Sequence, residues 1–136
     1  LTDDEFNLMR GHTFYTYRVL EAIKDLAIIN QFGSYHHERL DGSGYPFRLK
    51  QNQLPLGSRV MAVADVFTAL TENRPYRKGM SNEQTLLILS KMAENGKLDH
   101  DIVELVKKHH EEINQVRIKA QEESRQEYRT FLENIG

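Results

Sequence analysis

Tyr35 to Pro46 reads YHHERLDGSGYP, and the rest of the chain is organised around this run. Just before it, Leu26, Ile28, Ile29 and Phe32 make the apolar side of a short helix over 26–35, which delivers His36 and His37 at its C-terminal end. Neighbouring helix positions point roughly 100° apart, so one imidazole does not duplicate the other. Gly42 and Gly44 let the backbone turn with positive φ or approach a ligand closely. Residues 39–57 show no period and contain Pro46 and Pro55, so they read as one long loop, the kind that is usually functional in a compact domain. Imidazole is the commonest protein ligand for first-row metals. Two adjacent histidines alone fit a solvated surface turn; the whole run fits one poorly.

The flanking segments read as helices. Thr2 to Glu5 is a capping box, and Phe6, Met9, Thr13, Thr16, Leu20 and Ile23 follow helical spacing, which predicts a helix over 3–24. His12 lies near that inward face, where a lone histidine more often packs than ligates. Ser58 starts a helix to about Glu72 in which Val60, Met61, Ala64, Phe67, Ala69 and Leu70 are apolar almost all round, so it is expected to be buried. Asp65 sits in that surface, and a buried carboxylate must be paired, hydrogen-bonded or metal-bound. Pro75 ends the helix in a basic loop carrying Arg74, Arg77 and Lys78. That loop either holds a phosphate or complements the helix dipole. A second capping box, Ser81 to Gln84, opens a helix to about Glu94, which Asn95-Gly96 stops. Asp99 caps a last helix expected to run unbroken to about Asn134, its 4-3 apolar rhythm suiting a partner or a dimer. No strand alternation is sustained anywhere. The prediction is an all-α bundle of about five helices in one domain, 1–136, with 99–136 as a long C-terminal helix.

Composition narrows the function. The chain has 136 residues, 18 Lys+Arg against 20 Asp+Glu, and a formal charge of −2, which argues against a duplex nucleic-acid binder. No apolar run approaches the roughly 18 residues of a membrane span, and no signal peptide opens the chain. Zero cysteines exclude disulfides, thiolate metal sites and a cysteine nucleophile. A cytoplasmic protein is expected, and the start at Leu1 suggests a fragment or a trimmed chain.

HHERLDGSGYP resembles the HHExxDGxGYP signature of the HD-GYP family, metal-dependent phosphodiesterases that cleave cyclic di-GMP in bacterial signalling. The likeness continues through RVMAVADVFTALTENRPYR at 59–77 and back to Leu1. It implies an HD-like helical bundle and a metal set of His12, His36, His37 and Asp65. It also implies phosphate contacts at Arg74 and Arg77, a substrate side lined by Tyr45, and ligand-orienting carboxylates at Glu38 and Asp41. Glu38 reads equally as a solvated acid, and Phe47 as an anchor of the loop. Imidazoles and carboxylate without sulfur suit a divalent transition metal, and the family implies two or more Fe or Mn ions, with Zn, Co or Ni possible alternatives. The implied partners are a cyclic dinucleotide substrate, a diguanylate cyclase (GGDEF) domain docking through the Gly-Tyr-Pro loop, and a second copy through the C-terminal helix. The family's His-Asp pair lies upstream of the segment matching Leu1, so the chain is expected to be the C-terminal part of a longer domain. No residue beyond the metal ligands is assigned to catalysis. A catalytically silent nucleotide-binding or docking module, or a broader HD-type nucleotide phosphohydrolase, are the competing readings.

Overall fold

The computed structural model describes residues 2–73 and 77–135. The chain divides into two compact units, Leu1–Glu104 and Leu105–Gly136. Among the described residues six α-helices follow in order: α1 Asp3–Leu20, α2 Ala27–Tyr35, α3 Leu56–Thr71, α4 Asn82–Glu94, α5 His100–Lys108 and α6 His110–Ile135. Among the described residues there is no strand, only an isolated antiparallel bridge between Asp41 and Lys50. The described residues are all-α, as the sequence predicts.

Both expected capping boxes form. Thr2 Oγ1 accepts from the Glu5 amide at 3.3 Å, and the Glu5 carboxylate accepts from the Thr2 amide at 2.7 Å. Ser81 and Gln84 repeat the exchange at 3.3 and 3.2 Å. Helix α1, however, stops at Leu20 rather than 24, and a 3-10 turn, Lys24–Leu26, leads into α2. Ile23 falls in the link and is half exposed, while Thr13 is fully buried on the helix's inner side. Phe6, the first residue of the expected inward face, lies outside the described side chains.

The α1–α2 contact corrects the sequence reading most sharply. Ile28 and Ile29 are exposed, and the residues α2 buries are Asn30 and Ser34. Asn30 donates to the Tyr17 carbonyl at 3.2 Å and accepts from Ser34 Oγ at 2.7 Å, so these buried polar groups are satisfied. A Cβ at Gly33 would meet Thr16 Cγ2 at 3.2 Å. Small side chains therefore bring the two helices together, and hydropathy periodicity is blind to such an interface.

The apolar core of the first unit lies under α3 and α4. Ala62, Val63, Val66 and Phe67 of α3 meet Leu89 and Ala93 of α4, with Leu54, Leu98 and Val103 closing the layer. Each fully buried valine or leucine contributes about 1.5–3 kcal/mol. Helix α3 is not buried all round, as its composition suggests: Val60, Met61 and Leu56 are exposed. Gly57, on its first turn, lies against Phe32 of α2, and a Cβ there would strike the Phe32 ring. Gly57→Ala is accordingly expected to destabilise the protein by about 1–3 kcal/mol through overpacking. A urea titration showing an unchanged midpoint would refute that.

The last helix is interrupted at His109 instead of running unbroken from Asp99. Asp99 does cap, its Oδ1 accepting from the Ile102 amide at 3.2 Å, while Oδ2 pairs with Arg59 Nη1 at 2.7 Å. In the second unit α6 supports itself by local pairs, among them Arg117 with Asn114 and Gln121 and Lys119 with Glu123. Val116, Tyr128, Phe131 and Leu132 are exposed along it.

Candidate metal centre

The close approach of α1 and α2 has a chemical result. His12, on α1, comes to 5.6 Å from His36 and 5.2 Å from His37, centroid to centroid, and the two neighbours lie 4.1 Å apart. One ring nitrogen from each lies within 4.8 Å of the others. Helix α3 brings Asp65 against them, its Oδ2 3.3 Å from His37 Nδ1. The structure thus gathers all four residues of the expected metal set from three helical segments.

The tautomers are constrained as well. His12 Nδ1 lies 2.6 Å from the Met9 carbonyl and His36 Nδ1 lies 3.0 Å from the Gly33 carbonyl. A carbonyl only accepts, so in the neutral rings Nδ1 carries the proton and the Nε2 lone pair is left to bind a cation. Burial, together with the neighbouring His37, lowers the pKa of His36, which keeps that lone pair available at neutral pH. Burial raises the Asp65 pKa, but His37, by hydrogen bond and charge, with His36 and Arg39, outweighs it, and the carboxyl sits below its ordinary value. Convergent imidazole nitrogens beside an ionised carboxylate fit a divalent transition metal.

The loop after α2 takes its shape from Glu38. This residue is 1% exposed, and its carboxylate accepts from the Phe47 amide at 2.7 Å and the Leu49 amide at 3.0 Å. It is neither a solvated acid nor bonded to a histidine; its hydrogen bonds go to the loop backbone. Gly44 is buried where any Cβ would overlap the backbone of Glu38 and Arg39, so only glycine permits that crossing. Gly42 turns the chain at φ +80°. Phe47 contacts Tyr17 at 4.8 Å and Tyr35 at 5.8 Å, and anchors the loop to α1 and α2. Asp41 is exposed and accepts from the Ser43 hydroxyl at 2.6 Å and amide at 2.9 Å, bonds that hold its carboxyl below the usual carboxylate range. Those contacts build a turn and show no orienting bond to a histidine.

Tyr45 stands beside the cluster, its ring 4.9 Å from His37, with the Arg10 guanidinium 5.5 Å over the same ring. Burial raises the pKa of its phenol, which keeps the proton. Arg77 donates to the Ala69 carbonyl at 2.6 Å, at the C-terminal end of α3, so it complements that helix terminus. Arg74 lies outside the described residues. Two cations beside the cluster escaped the sequence reading. Arg39 donates to the Glu38 carbonyl at 2.9 Å and feels the charge of Asp65, and Arg10 joins Tyr45. Arg39 had a signal, a cation three residues past the helix cap His36, whose carbonyl it reaches at 3.4 Å. Arg10 had none, because its partner lies on another element.

Comparison with known proteins agrees with this geometry. A family model described as HD domain matches residues 1–102. A 3'3'-cGAMP-specific phosphodiesterase of Vibrio cholerae is 33% identical over 87% of this chain and 27% of its own length. A cyclic di-GMP phosphodiesterase of Pseudomonas aeruginosa is 41% identical over 75% of the chain and 24% of its own length. A cyclic di-GMP phosphodiesterase response regulator of Xanthomonas campestris is 41% identical over 72% and 26%. The chain spans about a quarter of the length of these relatives. No helix among the described residues is long and apolar enough to cross a membrane. With the family match over three-quarters of its length and an intact HHERLDGSGYP run at the histidine cluster, the chain belongs to the HD domain family, in its HD-GYP branch.

Proposed function

We propose that this chain forms part of a metal-dependent phosphodiesterase that hydrolyses cyclic di-GMP as a bacterial second messenger. The observation that carries the reading is the convergence of His12, His36 and His37, with ring nitrogens within 4.8 Å of one another and Asp65 against His37. These four residues are assigned as ligands; their nitrogen–oxygen donor set suits a divalent transition metal, and the family resemblance favours two or more Fe or Mn ions, with Zn, Co or Ni as alternatives. Bound metal would lower the pKa of water and stabilise charge on phosphoryl oxygens. The chain's own residues do the rest. The Met9 and Gly33 carbonyls fix two imidazoles with Nε2 outward, and Glu38 holds the loop that carries Tyr45 to the site. Arg74 and Arg77 are assigned to substrate phosphate; Arg77 spends one donor on Ala69 and, with five, keeps others.

The Gly44-Tyr45-Pro46 loop is the assigned docking surface for a diguanylate cyclase domain. The exposed Tyr128, Phe131 and Leu132 of α6 are assigned to pairing with a second copy. The setting is cytoplasmic, where the messenger is made and read. The test is metal content by elemental mass spectrometry on protein purified anaerobically without chelator, followed by cyclic di-GMP turnover. About two Fe or Mn per chain with turnover would support a two-metal site completed by donors beyond these four residues, which by themselves suffice for one ion. Nucleotide binding without metal or turnover would replace this reading with that of a silent module.

A further inference from the structure

Beside the histidine cluster lies a hollow of about 340 Å³ lined by Arg10, Gly11, Phe14, Tyr15, Tyr45 and Pro46. Its walls are aromatic and accessible: Phe14 is 44% and Tyr15 64% exposed. Gly11 leaves its floor open, since a Cβ there would press the Tyr15 ring at 3.2 Å. The charged group in its lining is the Arg10 guanidinium. Tyr45 touches both Arg10 and His37, so the hollow and the cluster share a wall. Aromatic walls favour a flat, stackable ligand over a bare phosphate.

We propose that this hollow seats a guanine base of the substrate, with Arg10 reading its edge. The proposal rests on the phosphodiesterase reading for the identity of the ligand: a dinucleotide whose phosphodiester lies at the histidines has a base within reach of the adjoining hollow. The choice of base follows from donor and acceptor chemistry. A guanidinium has five donors and no acceptor. Guanine offers two acceptors, O6 and N7, on one edge, which a guanidinium fork meets bidentately. Adenine offers N7 beside the N6 amino donor, which would face another N–H. Arg10 thereby sets preference among cyclic dinucleotides that differ only in their bases.

The test uses the metal-loaded chain. Calorimetric titration with GMP and with AMP is expected to give a preference for GMP of about tenfold, the scale of one good bidentate pair. Arg10→Gln, whose amide matches the adenine edge, is expected to abolish or invert that ratio. Arg10→Lys, which keeps the charge without the planar fork, is expected to lose the ratio while still binding both nucleotides. Circular dichroism checks the helix in each variant. The ratio of cyclic di-GMP to cyclic di-AMP turnover should follow the same order. If Arg10→Gln weakens GMP and AMP equally, Arg10 holds phosphate and the guanine subsite is wrong. Turnover whose base preference ignores Arg10 also overturns the subsite while leaving the phosphodiesterase reading standing. No turnover, with GMP preference lost in Arg10→Gln, overturns the phosphodiesterase reading and upholds the subsite.

Discussion

His36→Ala is expected to abolish the metal binding and phosphodiester hydrolysis proposed for this chain, with Asp65→Ala doing the same. His36 is half-buried at the end of α2 with Nδ1 tied to the Gly33 carbonyl, so its Nε2 has one remaining use. Removing it takes one of three convergent nitrogens, and neither His12 on α1 nor His37 in the turn after α2 supplies a replacement donor. Changes to residues that merely support a ligand cost about 10–100-fold in metal affinity, and loss of a ligand is expected to cost at least that. Asp65 is the sharper case, because its contact with His37 Nδ1 fits two roles. As a ligand, its replacement by asparagine should lower metal content as far as His36→Ala does. As a carboxylate that only orients His37, Asp65→Asn should leave metal bound with weakened affinity. We expect the first outcome; elemental analysis and turnover on the variants decide it, and full metal occupancy in Asp65→Asn would remove Asp65 from the ligand set.

The difference between what was legible in the sequence and what was not has a physical pattern. Capping boxes at Thr2 and Ser81 and the stop at Asn95-Gly96 are local, and each forms as read. The grouping of His12, His36, His37 and Asp65, proposed here as ligands, was legible only through the family resemblance, because the residues alone read His12 more readily as a packing histidine and left Asp65 open between a ligand and a helix-pairing carboxylate. The buried faces were not. Asn30, Ser34 and Thr13 are buried because the α1–α2 contact is small and polar, whereas apolar periodicity selected Ile28 and Ile29. Arg10 and Tyr45 meet only in three dimensions, 35 residues apart in the chain, and no spacing rule reaches that far. The role of Glu38 was hidden for the same reason: its partners, Phe47 and Leu49, lie across the loop it shapes.

Glu38→Ala is therefore expected to destabilise the protein more than any substitution of the histidines beside it. The side chain is 1% exposed, and its two oxygens satisfy two loop amides at 2.7 and 3.0 Å. Alanine leaves both donors without their partner, at about 1–3 kcal/mol each, and opens a cavity as well. A loss of about 3–5 kcal/mol follows, or about 15 °C or more in Tm for a unit near 100 residues. Glu38→Gln keeps the volume but turns one acceptor into an amino group facing an amide, so about 2 kcal/mol is expected. Asp41 supplies the contrast within the same run. It is exposed, and its carboxylate accepts from Ser43, two residues on, so Asp41→Ala should cost less than about 1 kcal/mol. Urea and thermal denaturation of the three variants check the order. Equal stability of Glu38→Ala and Asp41→Ala would mean that the loop is held without the buried carboxylate. The expected order instead explains why a glutamate follows the paired histidines: it anchors the backbone that brings Tyr45 against His37, and its loss should release both at once.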